Sequence, residues 1–275
     1  MIPPIADRFV AGESAAAVLD HARRMEASGV KSICNLLGEH YQERPPADGD
    51  TAAYRQLLRD MPDTLDACVS VKPSQLGIEV GDAVFEENLG RVVEVAEQEG
   101  RFVWVDMEDY TTVDATIDAF EAAARDYPKM GLCLQSNMKR TDEDLERVAD
   151  VAGKIRLVKG AYDPPKELVH QGKEAVNEAY GRHMEYLFAE FDGTVGVGSH
   201  DPRMIDRAIA LHDEFGTDFE IQMLMGVRED AQVDLAGEYE VYQYVPYGDK
   251  WASYFYRRVL ERKENALFAL RAILS

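Results

Sequence analysis

Eight short apolar runs return along the chain at fairly regular intervals, and they constrain the fold more than any other feature. They are Lys31–Leu37, Ala67–Val71, Phe102–Met107, Gly131–Gln135, Ile155–Val158, Thr194–Gly198, Phe219–Leu224 and Glu240–Val245. Most are rich in β-branched residues and apolar at nearly every position, the mark of strands in a parallel sheet covered on both faces. Helical periodicity fills the gaps, as in Leu89–Glu99 and Asp114–Asp126. Eight strand–helix units in 275 residues predict an α/β fold, a (β/α)8 TIM-like barrel. A doubly wound sheet is the structural rival, but no G-x-G-x-x-G follows the first strand or any other, so the usual dinucleotide cradle is missing. With no repeat, low-complexity run or linker, residues 1–275 read as one domain, with an N-terminal helical segment over 1–30. The stretch Arg44-Pro-Pro-Ala-Asp-Gly-Asp50 reads as an exposed loop between units.

Charge and cysteine usage exclude several function classes. The chain carries 51 acidic against 30 basic residues, a net charge of −21, so it lacks the Lys/Arg surface that nucleic-acid binding needs. The acidic excess is spread along the chain, like the surfaces of proteins from salty cytoplasm. Cys34, Cys68 and Cys133 each sit in an apolar run without C-x-x-C spacing. They read as buried thiols in a reducing compartment and predict neither disulfide nor metal site. No apolar run approaches the ~18 residues of a membrane span. The expected location is therefore cytoplasmic, with contact at a membrane surface still allowed.

In a barrel, the polar residues at the C-terminal ends of the strands converge on one site. Here those ends carry Ser70 and Lys72, Asp106 to Asp109, Gln135 to Asn137, Arg156 and Lys159 to Tyr162, Ser199 to Asp201, Gln222, and Tyr244 to Tyr247. A second cluster follows in Tyr244–Glu261. If a helix starts near Gly248–Asp249, Arg257 and Glu261 stand at i and i+4, so the acid holds one guanidinium while the other charge is left for a ligand. Arg257 and Arg258 side by side suit a carboxylate. Trp251, Tyr254 and Phe255 give the same helix an aromatic side.

Several of these motifs resemble, in order and spacing, the monofunctional proline dehydrogenases. They are Met107-Glu after Asp106, Arg156-Leu-Val-Lys-Gly-Ala-Tyr162, Ser199-His-Asp-Pro202, Phe219-Glu-Ile-Gln-Met-Leu224, Tyr244-Val-Pro-Tyr-Gly248 and Tyr254-Phe-Tyr-Arg-Arg258 with Glu264-Asn265. Arg8-Phe-Val-Ala-Gly12 resembles the family's N-terminal segment. The chain departs from the pattern at Ser199, where the family often has Thr, at Met225, where an aromatic is common, and at Ser136-Asn137, where Ala-Tyr is frequent.

The resemblance implies a flavin enzyme that oxidises L-proline to 1-pyrroline-5-carboxylate, with FAD across the barrel mouth and the C-terminal helix folded over it. It implies that Lys72, Arg257 and Arg258 clamp the substrate carboxylate, with Glu261 behind them and Tyr244 beside the ring. Asp106 is expected to hold Lys72 and the Tyr244 hydroxyl, or to serve only as a counter-charge for Lys72. Asp106, Arg156 and Tyr244 are the expected catalytic residues. Met107, Gln135, Arg156, Lys159, Gly160, Ala161, Ser199 and His200 are expected around the cofactor. His200 has no second histidine at ligand spacing, so no metal is expected. The family's usual electron acceptor is a membrane quinone, which implies peripheral contact with the inner face of the cell membrane. The residues alone leave two other functions open: a lyase or aldolase using Lys159 as a Schiff base, and a non-catalytic amino-acid-binding barrel. Oligomeric state is not legible.

Overall fold

The computed structural model describes residues 7–252 and Tyr254. Eight parallel strands close a barrel in chain order: β1 (Lys31–Leu36), β2 (Ala67–Val71), β3 (Val103–Val105), β4 (Met130–Gln135), β5 (Lys154–Val158), β6 (Thr194–Gly198), β7 (Phe219–Leu224) and β8 (Val241–Tyr247). The helices are α1 (Ala15–Glu26), α2 (Arg44–Asp60), α3 (Pro73–Leu76), α4 (Asp82–Gln98), α5 (Val113–Asp126), α6 (Thr141–Val148), α7 (Lys173–Glu190), α8 (Pro202–Phe215) and α9 (Glu229–Ala236). Closure rests on β1 against β8, in register from Lys31 opposite Tyr242 to Leu36 opposite Tyr247.

The period of two along a strand explains why the runs are apolar throughout. Outward residues such as Val69, Val71, Val103, Val105, Leu132, Ile155, Val195 and Ile221 join one continuous core with the helices. Each such side chain contributes about 1.5–3 kcal/mol on full burial. Inward residues Ile33, Cys68, Trp104 and Tyr242 form a separate cluster, with Phe102 and Tyr244 packed on it. This cluster fills the lower barrel. The next inward positions, Asn35, Ser70, Arg156 and Gln222, are polar, so the barrel turns polar toward its mouth, while a Lys154–Glu220 ion pair stands beside the apolar rings of the floor. Two strands leave space for the large interior groups. A Cβ on Gly131 would collide with the Trp104 ring, and one on Gly196 would stand 2.9 Å from Gln222 Nε2 and 3.2 Å from Arg156 Cα.

Several expectations need correction at their edges. Residues 44–50 are not a loop but the first turns of α2, because Pro45 and Pro46 occupy its first positions, where no helical N–H is needed. Strand β3 stops at Val105, so Asp106 and Met107 lie just beyond it, while β8 runs on to Tyr247. In the N-terminal segment, α1 starts at Ala15, where Ser14 Oγ accepts from the Ala17 N–H at 3.3 Å. The helix expected after Gly248 is present at Trp251, Ala252 and Tyr254. Its arginine pair Arg257 and Arg258, with Phe255 and Glu261, lies outside the described residues, as does any cover that it provides over the mouth. Among the described residues no helix is long and apolar enough to cross a membrane.

Candidate active site

Asp106 is the hub of the mouth. Placed one residue past β3, its Oδ1 accepts from Arg156 and, at 2.9 Å, from Ser70 Oγ; its Oδ2 accepts from the Tyr244 hydroxyl at 2.7 Å. Arg156 is 4% exposed, so its permanent charge needs this partner. The same guanidinium lies over the Trp104 ring at 4.8 Å and the Tyr244 ring at 5.7 Å, and donates to Gln222 Oε1 at 3.1 Å. Burial first, and then the Asp106 charge, push the Tyr244 phenol well above its ordinary pKa, so it stays a neutral donor.

Two adjoining cavities open beside this hub, of about 250 Å³ and about 260 Å³, and share Asp106, Ala161, Leu224 and Tyr244 as walls. The first adds Asn35, His40, Lys72, Met107, Tyr162 and Tyr254. Lys72 is buried and donates to Asn35 Oδ1 at 3.3 Å. Its expected partner Asp106 is instead committed to Arg156, Ser70 and Tyr244, because the guanidinium reaches across the barrel from β5. The charge near Lys72 comes from Glu108, which is fully buried. Burial raises its pKa, while Lys72 and hydrogen bonds from Ser74 and Tyr162 oppose that rise.

The second cavity is lined by Arg156, Lys159, Gly160, Ala161, Gly198, His200 and Gln222. Gly160 has φ +104°, a left-handed conformation that other residues rarely adopt, and a Cβ there would collide with the Asn137 side chain. Lys159 donates to Asn177 Oδ1 at 2.6 Å and pairs with Asp201 at 3.2 Å. Arg203 and then Lys159 hold the Asp201 carboxyl well below the usual carboxylate range. This is not the unpaired, desolvated setting of a Schiff-base lysine. His200 Nε2 accepts from the Leu224 N–H at 2.8 Å, which fixes the proton on Nδ1. Gln135 and Ser199 line neither cavity. Gln135 donates to the carbonyls of Met107 and Glu108, at 3.0 and 3.3 Å, and Ser199 Oγ accepts from the Asp201 N–H at 3.2 Å. No group of three His, Cys, Asp or Glu side chains among the described residues could hold a metal ion.

A family model described as proline dehydrogenase matches residues 18–271. The chain belongs to the proline dehydrogenase family. It is 33% identical over 287 residues to proline dehydrogenase of Deinococcus radiodurans, a match covering 98% of this chain and 90% of that protein. It is 30% identical over 274 residues to proline dehydrogenase 1 of Bacillus subtilis strain 168, with the same coverage. Among solved structures, proline utilization A from Bdellovibrio bacteriovorus superposes with a TM-score of 0.85 at 21% identity, covering 94% of this chain. This chain spans 33% of the length of that protein, and the likeness concerns the barrel fold. As a family member the chain is an oxidoreductase acting on proline.

Sequence reasoning placed Ser70, Glu108, Tyr162 and Gln222 among the strand-end residues of the site without giving them a role, and it did not name Asn35. A signal was present: a polar residue every second position inside an otherwise apolar strand, as in Lys154 to Arg156 or Glu220 to Gln222, marks a barrel interior that does more than pack.

Proposed function

We propose that the chain, acting as a single domain over 1–275, oxidises L-proline to 1-pyrroline-5-carboxylate with FAD as cofactor. The observation that carries this reading is the Asp106 hub, which stands where a small cavity with a buried cation meets a second cavity walled by near-naked backbone. Proline offers a carboxylate, an amine and an apolar ring, and the first cavity offers Lys72, polar Asn35 and the Tyr244 ring. A flat polar ring system fits the second, where Gly160, Ala161 and Gly198 leave the wall without bulk and Arg156, Lys159 and His200 bring polar groups. Met107, Gln135, Arg156, Lys159, Gly160, Ala161, Ser199 and His200 would hold FAD, Gln135 and Ser199 through the loops that they brace. When bound, the flavin supplies the acceptor, at N5, for the hydride that leaves C5 of proline.

The residues then divide the work. Lys72, with Arg257 and Arg258, binds the carboxylate and orients the ring, and Glu261 steadies one guanidinium. Tyr244, fixed by its bond to Asp106, walls the ring and excludes water. Both Asp106 oxygens already accept from donors, so the proline ammonium loses its proton to water before the ring is enclosed rather than to this carboxylate. Arg156 places positive charge where negative charge accumulates on reduction. A quinone would be the final electron acceptor, reached by peripheral contact of a cytoplasmic protein with the inner face of the membrane. The visible spectrum tests the reading. The purified protein should show a flavin band that bleaches on adding L-proline under anaerobic conditions. A protein that takes up no FAD, or whose flavin ignores proline, overturns it.

A further inference from the structure

A line of charged and amide groups runs down the barrel axis from the hub to the floor. Arg156 donates to Gln222 Oε1 at 3.1 Å, Gln222 Nε2 donates to one oxygen of Glu220 at 2.6 Å, and Lys154 Nζ donates to the other oxygen of Glu220. Glu220 is completely buried, and Lys154 lies against the rings of Phe102 and Tyr242 at 5.1 and 5.7 Å, at the end of the barrel remote from both cavities. Neither residue lines the site, yet both are tied to it.

The polarity of this line is set from below. A carboxylate has no hydrogen to give, so the ionised Glu220 forces the Gln222 amide to turn its NH2 downward and its oxygen up toward Arg156. With the amide reversed, an NH2 would face the guanidinium, donor against donor, and Arg156 would have to tilt away. Burial favours the protonated acid at Glu220, and Lys154, itself only partly buried, opposes this, which gives the lysine its place in the line.

We propose that the Lys154–Glu220 pair on the barrel floor is a positioning device that, through Gln222, fixes the direction in which Arg156 meets the bound flavin. The proposal rests on the flavin reading given above. Glu220→Gln keeps the size and removes the charge, so one NH2 must oppose either Lys154 or Gln222. Lys154→Met with Glu220→Met removes both charges together among the apolar rings of the floor, a replacement that buried pairs tolerate well. The charged Lys154 claims the one remaining oxygen in Glu220→Gln, so the NH2 turns toward Gln222 and both proteins lose the orienting acceptor; the second secures a folded protein if the first is unstable.

The measurements are FAD affinity by titration of the apoprotein, the midpoint potential of the bound flavin, and kcat and KM for proline. In either variant, FAD affinity should stay within about threefold and KM within about twofold. The kcat should fall about tenfold, and the potential should move negative by about 30 mV, the equivalent of tenfold weaker relative binding of the reduced flavin in a two-electron couple. Gln222→Met should give the same shift, and adding Glu220→Gln to it should change nothing more. Variants with wild-type potential and kcat, or effects of Glu220→Gln and Gln222→Met that add, overturn the proposal. A wild type that binds no FAD overturns the flavin reading itself, and the proposal with it; variants alone that behave as wild type leave that reading standing.

Discussion

Removing the Asp106 carboxylate tests the hub directly, because two substitutions at this position should separate by an amount that its hydrogen bonds set. In Asp106→Ala the Arg156 guanidinium, 4% exposed, loses its counter-charge, and the Tyr244 hydroxyl and Ser70 Oγ lose an acceptor. Leaving one member of a buried pair without the other costs about 3–5 kcal/mol. Asp106→Asn is milder. Its remaining oxygen still accepts from Arg156 and Ser70, while its new NH2 donates to the Tyr244 oxygen and turns the phenolic hydrogen into the cavity. The loss is then the difference between charged and neutral hydrogen bonds, on the order of 2 kcal/mol in all. Urea unfolding followed by circular dichroism reads both values. Alanine should cost more than asparagine by about 1–3 kcal/mol, and asparagine should still lower kcat/KM about tenfold or more, because the Tyr244 hydroxyl is misdirected and Arg156 loses its counter-charge. An alanine variant within 1 kcal/mol of wild type, or an asparagine variant as unstable as alanine, would refute the reasoning that Asp106 holds Arg156 in place.

Three other outcomes are expected. Arg258→Met should raise the KM for proline by the equivalent of roughly 2–4 kcal/mol, since a paired anion loses one cation; steady-state kinetics with an unchanged KM would remove this residue from substrate binding. With a net charge of −21, self-repulsion should ease as the Debye length shrinks from ~10 Å in 0.1 M salt to ~3 Å in 1 M, so the melting temperature should rise across that range in KCl and a flat curve would contradict it. His21 is held neutral by burial, against the raising effect of its 2.6 Å bond to Gln243, so its folded pKa lies below the unfolded value of about 6.5. The unfolded chain therefore takes up this proton first, and the stability that the neutral ring contributes is lost as pH falls below about 6.5. His21→Gln should flatten the fall in stability by up to one proton, about 1.4 kcal/mol per pH unit; equal slopes in the two proteins would show that His21 is not the group responsible.

The barrel was legible because parallel strands buried on both faces leave an unbroken apolar signature, and because Asp106, Arg156 and Tyr244 fall at strand ends in phase. What the chain did not disclose has physical causes. Pro45-Pro46 looks like a loop breaker until the two prolines are set in the first turn of a helix, where they belong. Which cation Asp106 serves depends on how far Arg156 reaches across the barrel, and spacing along one strand carries no information about that. In the sequence Gly196 of β6 looks like any strand glycine, whereas its missing side chain is what admits Arg156 and Gln222 to the interior. Residue types at the mouth were visible; their partners belong to other strands and emerged only with closure.

That closure has a bearing on how the protein is made. The seam joins residues about two hundred positions apart, and it has six paired positions where β1 against β2 has three. During synthesis, β1 and then each latest strand wait with an open edge until the eighth arrives, and such edges invite pairing with neighbouring chains. The ring also cannot be half functional. Tyr244 sits in that final strand, opposite Ile33 of the first, and it supplies the hydrogen bond to Asp106. Activity in a refolding mixture therefore counts only molecules whose seam has shut, while helical signal by circular dichroism should recover earlier. Truncation before residue 241 would leave a protein with seven strands, two raw edges and no wall for the substrate.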